Sequence, residues 1–170
     1  LWTISLAQYF AKELGLGTGS TVVLCAPNVV HVLVVLAAAQ LLDARVALFP
    51  PATGTAEFER AVGLVAPQLV ISSDPCRFGE ARGVIADVRC MLTEGRDVGA
   101  PSVDEVMRHS GAGEMAFPDA NADASIIVFT SGSTGVPKAI VNRASSFALN
   151  GFALRKWLGV TSDDVVYLPV

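Results

Sequence analysis

Nine consecutive residues, Thr130-Ser-Gly-Ser-Thr-Gly-Val-Pro-Lys138, carry the densest chemistry in this 170-residue chain. Thr130, Ser131, Ser133 and Thr134 supply four hydroxyls around Gly132 and Gly135, and Lys138 closes the run. Glycines let a backbone take positive φ and come close to a ligand. Successive N–H groups in such a turn form a concave nest for an anion, and a lysine ammonium is a mobile point charge suited to phosphate. On composition alone a Ser/Thr/Gly string reads first as a flexible linker. Two neighbours favour a phosphate cradle: the Pro137-Lys138 pair, and the β-prone run Ser125-Ile-Ile-Val-Phe129 just before the loop. Open α/β sheets bind their ligands beyond the C-terminal ends of such strands. A Walker loop is excluded, because it needs four residues between its first glycine and a Gly-Lys-Ser/Thr triplet. Here two residues separate Gly132 from Gly135, and Ala139 follows Lys138.

The elements that must position this loop alternate in type. Residues 5–14 place Leu6, Tyr9, Phe10 and Leu14 at helical spacing, with Gly15 as a stop. Residues 21–25 read as a short buried strand, ended by Pro27-Asn28. An apolar helix is expected over 29–42, a strand over 46–49 stopped by Pro50-Pro51, a helix over 57–65 capped by Thr55, and a strand over 68–71. Residues 72–123 are less regular, with one strand expected near 84–92, one helix near 102–110, and a polar connection over 111–123. After the loop come a short strand over 139–141, a helix over 144–158, and the start of another strand in 163–169. Buried strands alternating with helices predict an α/β fold, a mostly parallel sheet with helices on both faces.

Composition narrows the functional classes. Hydrophobic residues reach 52% against 16% charged, which excludes a disordered chain. Twelve basic and sixteen acidic side chains leave a net charge of −4 with no basic run, which argues against a nucleic-acid binder and an electrostatic membrane anchor. Cys25, Cys76 and Cys90 are odd in number and match no zinc or dithiol spacing, so a reducing, cytoplasmic setting is expected, with Cys25 a buried thiol. Residues 14–42 lack any charge and are long enough to span a bilayer. They are broken by Gly15, Gly17, Gly19, Pro27 and Asn28, so a strand, a turn and a buried helix are expected instead of a membrane span. No basic region marks a signal peptide. The opening on Leu1, directly in helix-like sequence, suggests an excised piece, a processed product or an incomplete record.

The nine-residue loop resembles the signature phosphate loop of the adenylate-forming (AMP-binding) superfamily, which includes acyl-CoA synthetases, aryl-acid ligases, luciferases and adenylation domains of nonribosomal peptide synthetases. Residues 14–28, a glycine turn and strand ending in Pro27-Asn28, are similar to an early segment of that family, and residues 163–169 to its strand ahead of the acyl pocket. The resemblance covers essentially the whole chain as the incomplete N-terminal portion of the large domain, residues 1–170. It implies ATP-dependent activation of a small-molecule carboxylic acid to an acyl-adenylate, with transfer to a coenzyme A or phosphopantetheine thiol, the latter on an acyl- or peptidyl-carrier protein. By that resemblance Thr130, Ser131, Gly132, Ser133, Thr134, Gly135 and Lys138 hold the nucleotide phosphates, and Thr130 contacts Mg²⁺. The family's adenine pocket, acyl pocket and catalytic lysine lie downstream, so the isolated chain is expected to be inactive. Two positions depart from the family pattern, Ala139 where glycine is usual and Ala144 where histidine is common. They keep open a non-catalytic remnant of the same fold serving as an interaction module, beside an unrelated protein whose loop converged on the motif. The run 126–129 leans toward the acyl-CoA synthetase version of the strand.

The remaining polar and aromatic residues have plainer readings. His31 is expected to pack or cap within its apolar helix, and His109 to end a helix, where a cation is favourable. Glu57, Glu59 and Arg60 form a solvated helix face, and Glu80, Arg82, Asp87 and Arg89 decorate the surface. Arg143 reads first as a surface residue and second as a supplementary phosphate contact. Phe152 and Trp157 read as core, and Asp163-Asp164 as a weak metal candidate.

Overall fold

The computed structural model describes residues 1–95, 101–109, 124–130 and 138–165. Its elements in chain order are α1 (Trp2–Lys12), β1 (Thr21–Cys25), α2 (Val30–Leu41), β2 (Arg45–Phe49), α3 (Thr55–Val65), β3 (Leu69–Ser72), α4 (Cys76–Val84), β4 (Arg89–Leu92), α5 (Val103–His109), β5 (Ser125–Thr130), β6 (Lys138–Arg143) and α6 (Ala144–Leu158). The strands make one six-stranded sheet in the order β4-β3-β1-β2-β5-β6. Neighbours from β4 to β5 are parallel, and β5 pairs antiparallel with β6.

Burial on both faces explains why the central strands are continuous apolar runs. β1 and β3 are buried at every position, the pattern of a parallel strand with helices on either side. The two-residue strand period then divides the core. Val22, Leu24, Val46, Leu69 and Ile71 face α1, α2 and α5, where Leu6, Phe10, Val35 and Val106 meet them. Val23, Cys25, Ala47, Val70 and Ile127 face α3 and α4, packing on Phe58, Val62, Phe78 and Ala81. Wedged between the sheet and neighbouring helices, α2 is apolar nearly all round, with Val34, Val35, Ala38 and Ala39 buried.

Several expectations are corrected. The irregular middle holds α4, an unforeseen helix, so the strand expected near 84–92 shrinks to Arg89–Leu92. Thr55 is the first helical residue of α3 and not its cap. Gly54 takes that place, and the Thr55 hydroxyl donates to Glu80 Oε1 at 2.8 Å. Glu80 is therefore no free surface decoration. Arg89 also reaches across the fold, its guanidinium donating to the Leu14 carbonyl. Phe152 and Trp157 do not enter the core: they are 65% and 81% exposed, and α6 has no buried residue. The reason is that, among the described residues, α6 packs mainly along β6 and leaves its other sides uncovered. The connection over 110–123 and the tail from 166 onward lie outside the described residues. Asp163 and Asp164 belong to a turn in which Asp164 accepts from the Thr161 N–H at 2.7 Å.

Candidate nucleotide site

All five parallel strands end at the same edge of the sheet, and β5 ends there at Thr130. The antiparallel β6 begins there at Lys138, in direct register with Thr130. The two outermost residues of the candidate loop are thus cross-strand partners at the mouth of a hairpin, and both are exposed. Ser131, Gly132, Ser133, Thr134 and Gly135, within 131–137, lie outside the described residues. Faces follow from the strand period. Phe129 and its partner Ala139 pack against the α3/α4 core. Thr130 and Lys138, one residue on, share the opposite parity with Val128 and Ile140.

Beside this mouth is an apolar groove of about 410 Å³, lined by Ala26 to Asn28, Leu48, Pro50, Pro51 and Val128. It joins the turns after β1 and β2 to the last residues of β5. Its outer wall, the 50–54 turn, is tied down from below. Pro50's carbonyl accepts from the Thr53 N–H at 3.0 Å, the Thr53 hydroxyl at 2.7 Å and the Cys25 thiol at 3.7 Å. Arg77, on α4, is buried beneath the turn. Its Nη2 donates to the carbonyls of Pro51 at 3.0 Å and Thr53 at 2.5 Å, and its Nη1 donates to Glu80 Oε2 at 2.7 Å. The guanidinium carbon sits 5.0 Å from the Phe58 ring centroid. Sequence reasoning missed Arg77 because the irregular middle gave no helix to put it on. A lone arginine between Cys76 and Phe78, in a stretch with Gly79 and Gly83, carries no signal of burial.

Other titratable groups near this edge play structural parts. Burial pushes the Cys25 thiol up, with Arg77 and the Ser72 hydroxyl pulling partly back, and the side chain packs in the core. His31 is buried at the start of α2, as a packing residue. Its Nδ1 lies 3.3 Å from Glu94 Oε1 and its Nε2 3.8 Å from Asp104 Oδ1, and Nδ1 makes no aligned hydrogen bond among the described residues. Arg143 is exposed and precedes α6 as its N-terminal flanking residue. No group of three or more His, Cys, Asp or Glu among the described residues is arranged to hold a metal ion. No described helix is long and apolar enough to cross a membrane.

A mostly parallel sheet with an antiparallel hairpin at its edge defines an α/β class of fold, and comparison with known proteins names the family. Residues 4–170 match the AMP-binding enzyme family, and the chain belongs to that family. Among solved structures it is similar to o-succinylbenzoate CoA synthetase (MenE) from Bacillus subtilis in complex with the acyl-adenylate intermediate OSB-AMP, at 20% identity and a TM-score of 0.74. That match covers 96% of this chain and 40% of the other. MbtA from Mycobacterium smegmatis is 23% identical with a TM-score of 0.78, over 95% of this chain and 31% of MbtA. VinN is 19% identical with a TM-score of 0.73, over 96% of this chain and 40% of VinN. These likenesses establish the fold, and the chain spans about 40% or less of each relative's length. No curated protein matches the chain.

Proposed function

We propose that this chain supplies the phosphate-binding loop of an enzyme that uses ATP to activate a carboxylic acid as an acyl-adenylate, with later transfer to a coenzyme A or carrier-protein thiol. The observation that carries the reading is the pairing of Thr130 with Lys138 at the C-terminal edge of the parallel sheet. It brings a hydroxyl and an ammonium to opposite sides of one hairpin mouth, bridged by a Ser/Thr/Gly segment. The departing pyrophosphate concentrates negative charge, and fixed donors aimed at that charge lower the barrier without reorganising. In this reading Ser131, Gly132, Ser133, Thr134 and Gly135 line the β- and γ-phosphates, and Lys138 balances their charge.

The donor set also suits Mg²⁺. Thr130 offers one neutral hydroxyl oxygen, a hard donor of the kind Mg²⁺ accepts beside substrate phosphates and water. When bound, the ion would neutralise charge on the phosphate oxygens. Ala139 is compatible with this role. It lies in an ordinary strand opposite Phe129, with its methyl against the core, so glycine's extra freedom is not needed there. Ala144 opens α6 and donates its N–H to the Ala124 carbonyl at 2.9 Å. Neither substitution removes a phosphate donor, so both leave the enzymatic reading standing beside that of a non-catalytic remnant.

ATP–pyrophosphate exchange tests the proposal, using the protein that contains this chain and a panel of fatty, aryl and amino acids. At least one acid should support exchange above the acid-free background. Failure of the whole panel would overturn the assignment.

A further inference from the structure

We propose that Phe129 is the positioning residue of the phosphate loop, held by a relay of rings that starts at the buried guanidinium of Arg77. The proposal rests on the reading of 130–138 as that loop. Its starting observation is where the sheet stops supporting β5. The β2–β5 ladder runs from Arg45↔Ser125 to Ala47↔Ile127 and ends there, although β2 continues to Phe49 and β5 to Thr130. On the other side β5 leans on β6, an edge strand backed by a helix with no buried residue. The last residues of β5 before the loop therefore pair only with the edge strand β6, and side chains must tie them to the strands on the other side.

Aromatic rings provide it. Phe129 stacks on Phe49 with centroids 4.7 Å apart and planes at 25°. Phe49 meets Phe58 edge-on at 5.3 Å and 73°. Phe58, wholly buried in α3, carries the Arg77 guanidinium on its face. Arg77 is locked in turn by Glu80 and the carbonyls of Pro51 and Thr53. Offset-stacked and edge-to-face pairs have preferred geometries, so each member restricts the next. The strand period converts this restraint into loop geometry. With Phe129 and Ala139 anchored inward, Thr130 and Lys138 must present to the opposite face, and a tilt at Phe129 moves both.

The test is calorimetric titration of Mg·ATP into the protein that contains this chain. Phe129→Leu and Phe49→Leu should each weaken ATP binding roughly two- to tenfold, the worth of one ring pair, and Phe129→Tyr, which keeps the ring, should restore it. Phe78→Leu is the control, because Phe78 packs in the same core outside the ring contacts. It should lower thermal stability without changing ATP affinity. Equal loss of affinity in Phe78→Leu and Phe129→Leu, or none in Phe129→Leu, overturns the relay. A wild-type protein that does not bind Mg·ATP overturns the phosphate-loop reading instead. Amide hydrogen exchange then decides the relay alone: Arg77→Met and Phe129→Leu should speed exchange in β5 and β6 while Phe78→Leu does not, and equal rates in all three overturn it.

Discussion

Replacing Arg77 by methionine removes the clamp under the 50–54 turn while keeping a long apolar stem. Three hydrogen bonds from a charged donor are lost, to Glu80, Pro51 and Thr53. Bonds to charged groups contribute about 1.5–3 kcal/mol each, and cutting a fully buried ion pair costs about 3–5 kcal/mol. The acceptors here soften that figure. Glu80's side chain keeps 18% of its exposure and the turn is partly open, so water can replace some of what is lost. The methionine stem also retains contact with Phe58. The net loss should be roughly 2–3 kcal/mol, which for a domain of this size lowers Tm by about 4–12 °C. Circular dichroism during heating reads it. Arg77→Lys is the sharper companion, because a lysine point charge lacks the planar fork that serves two carbonyls and a carboxylate together. It should lose at least about half as much as methionine. A lysine variant as stable as the wild type, or a methionine variant within about 0.5 kcal/mol of it, would refute the clamp.

Two further perturbations probe other parts of the fold. Ala66 ends α3 at φ 44° and ψ 62°, a left-handed conformation that costs a residue with a Cβ about 1–2 kcal/mol, so Ala66→Gly should raise the midpoint of urea unfolding despite its entropic cost. An unchanged or lower midpoint would contradict the strain. The Asp74 carboxyl is held below its usual range chiefly by the Cys76 N–H, which donates to its Oδ1 at 2.9 Å. A depressed carboxylate contributes stability above its unfolded pKa that is lost as pH falls through the folded one. Asp74→Ala should therefore be less stable than wild type at pH 7, and the gap should close as pH drops below about 4; a gap independent of pH would contradict this assignment.

Much of the fold was legible because parallel strands buried on both faces leave apolar runs that polar loops interrupt. The runs at 21–25, 46–49, 68–71 and 125–129 all became strands, and Pro50-Pro51 stopped β2 where expected, whereas α1 starts at Trp2 and ends at Lys12, short of the expected stop at Gly15. Weak signals hid the rest. α4, CRFGEARGV, contains two glycines and little amphipathic contrast, so no periodicity marked it. β6 is twice as long as the three residues expected, because Lys138, Asn142 and Arg143 are polar and solvent-facing positions carry no strand signal. The strands flanking the candidate loop were legible, since β5 and β6 pair through Thr130 and Lys138 at the sheet edge. Its support was not: Phe49, Phe58, Arg77 and Phe129 share no spacing, and only the crossovers between parallel strands bring them together.

The central claim is that Lys138 faces nucleotide phosphate, and steady-state kinetics of Lys138→Ala with ATP and the activated acid varied in turn test it most directly. Loss of a charge-assisted contact worth about 1.5–3 kcal/mol should cut kcat/KM for ATP roughly ten- to hundredfold, while the KM for the acid moves by less than about twofold. Equal effects on both substrates, or an unchanged dependence on ATP, would contradict the account.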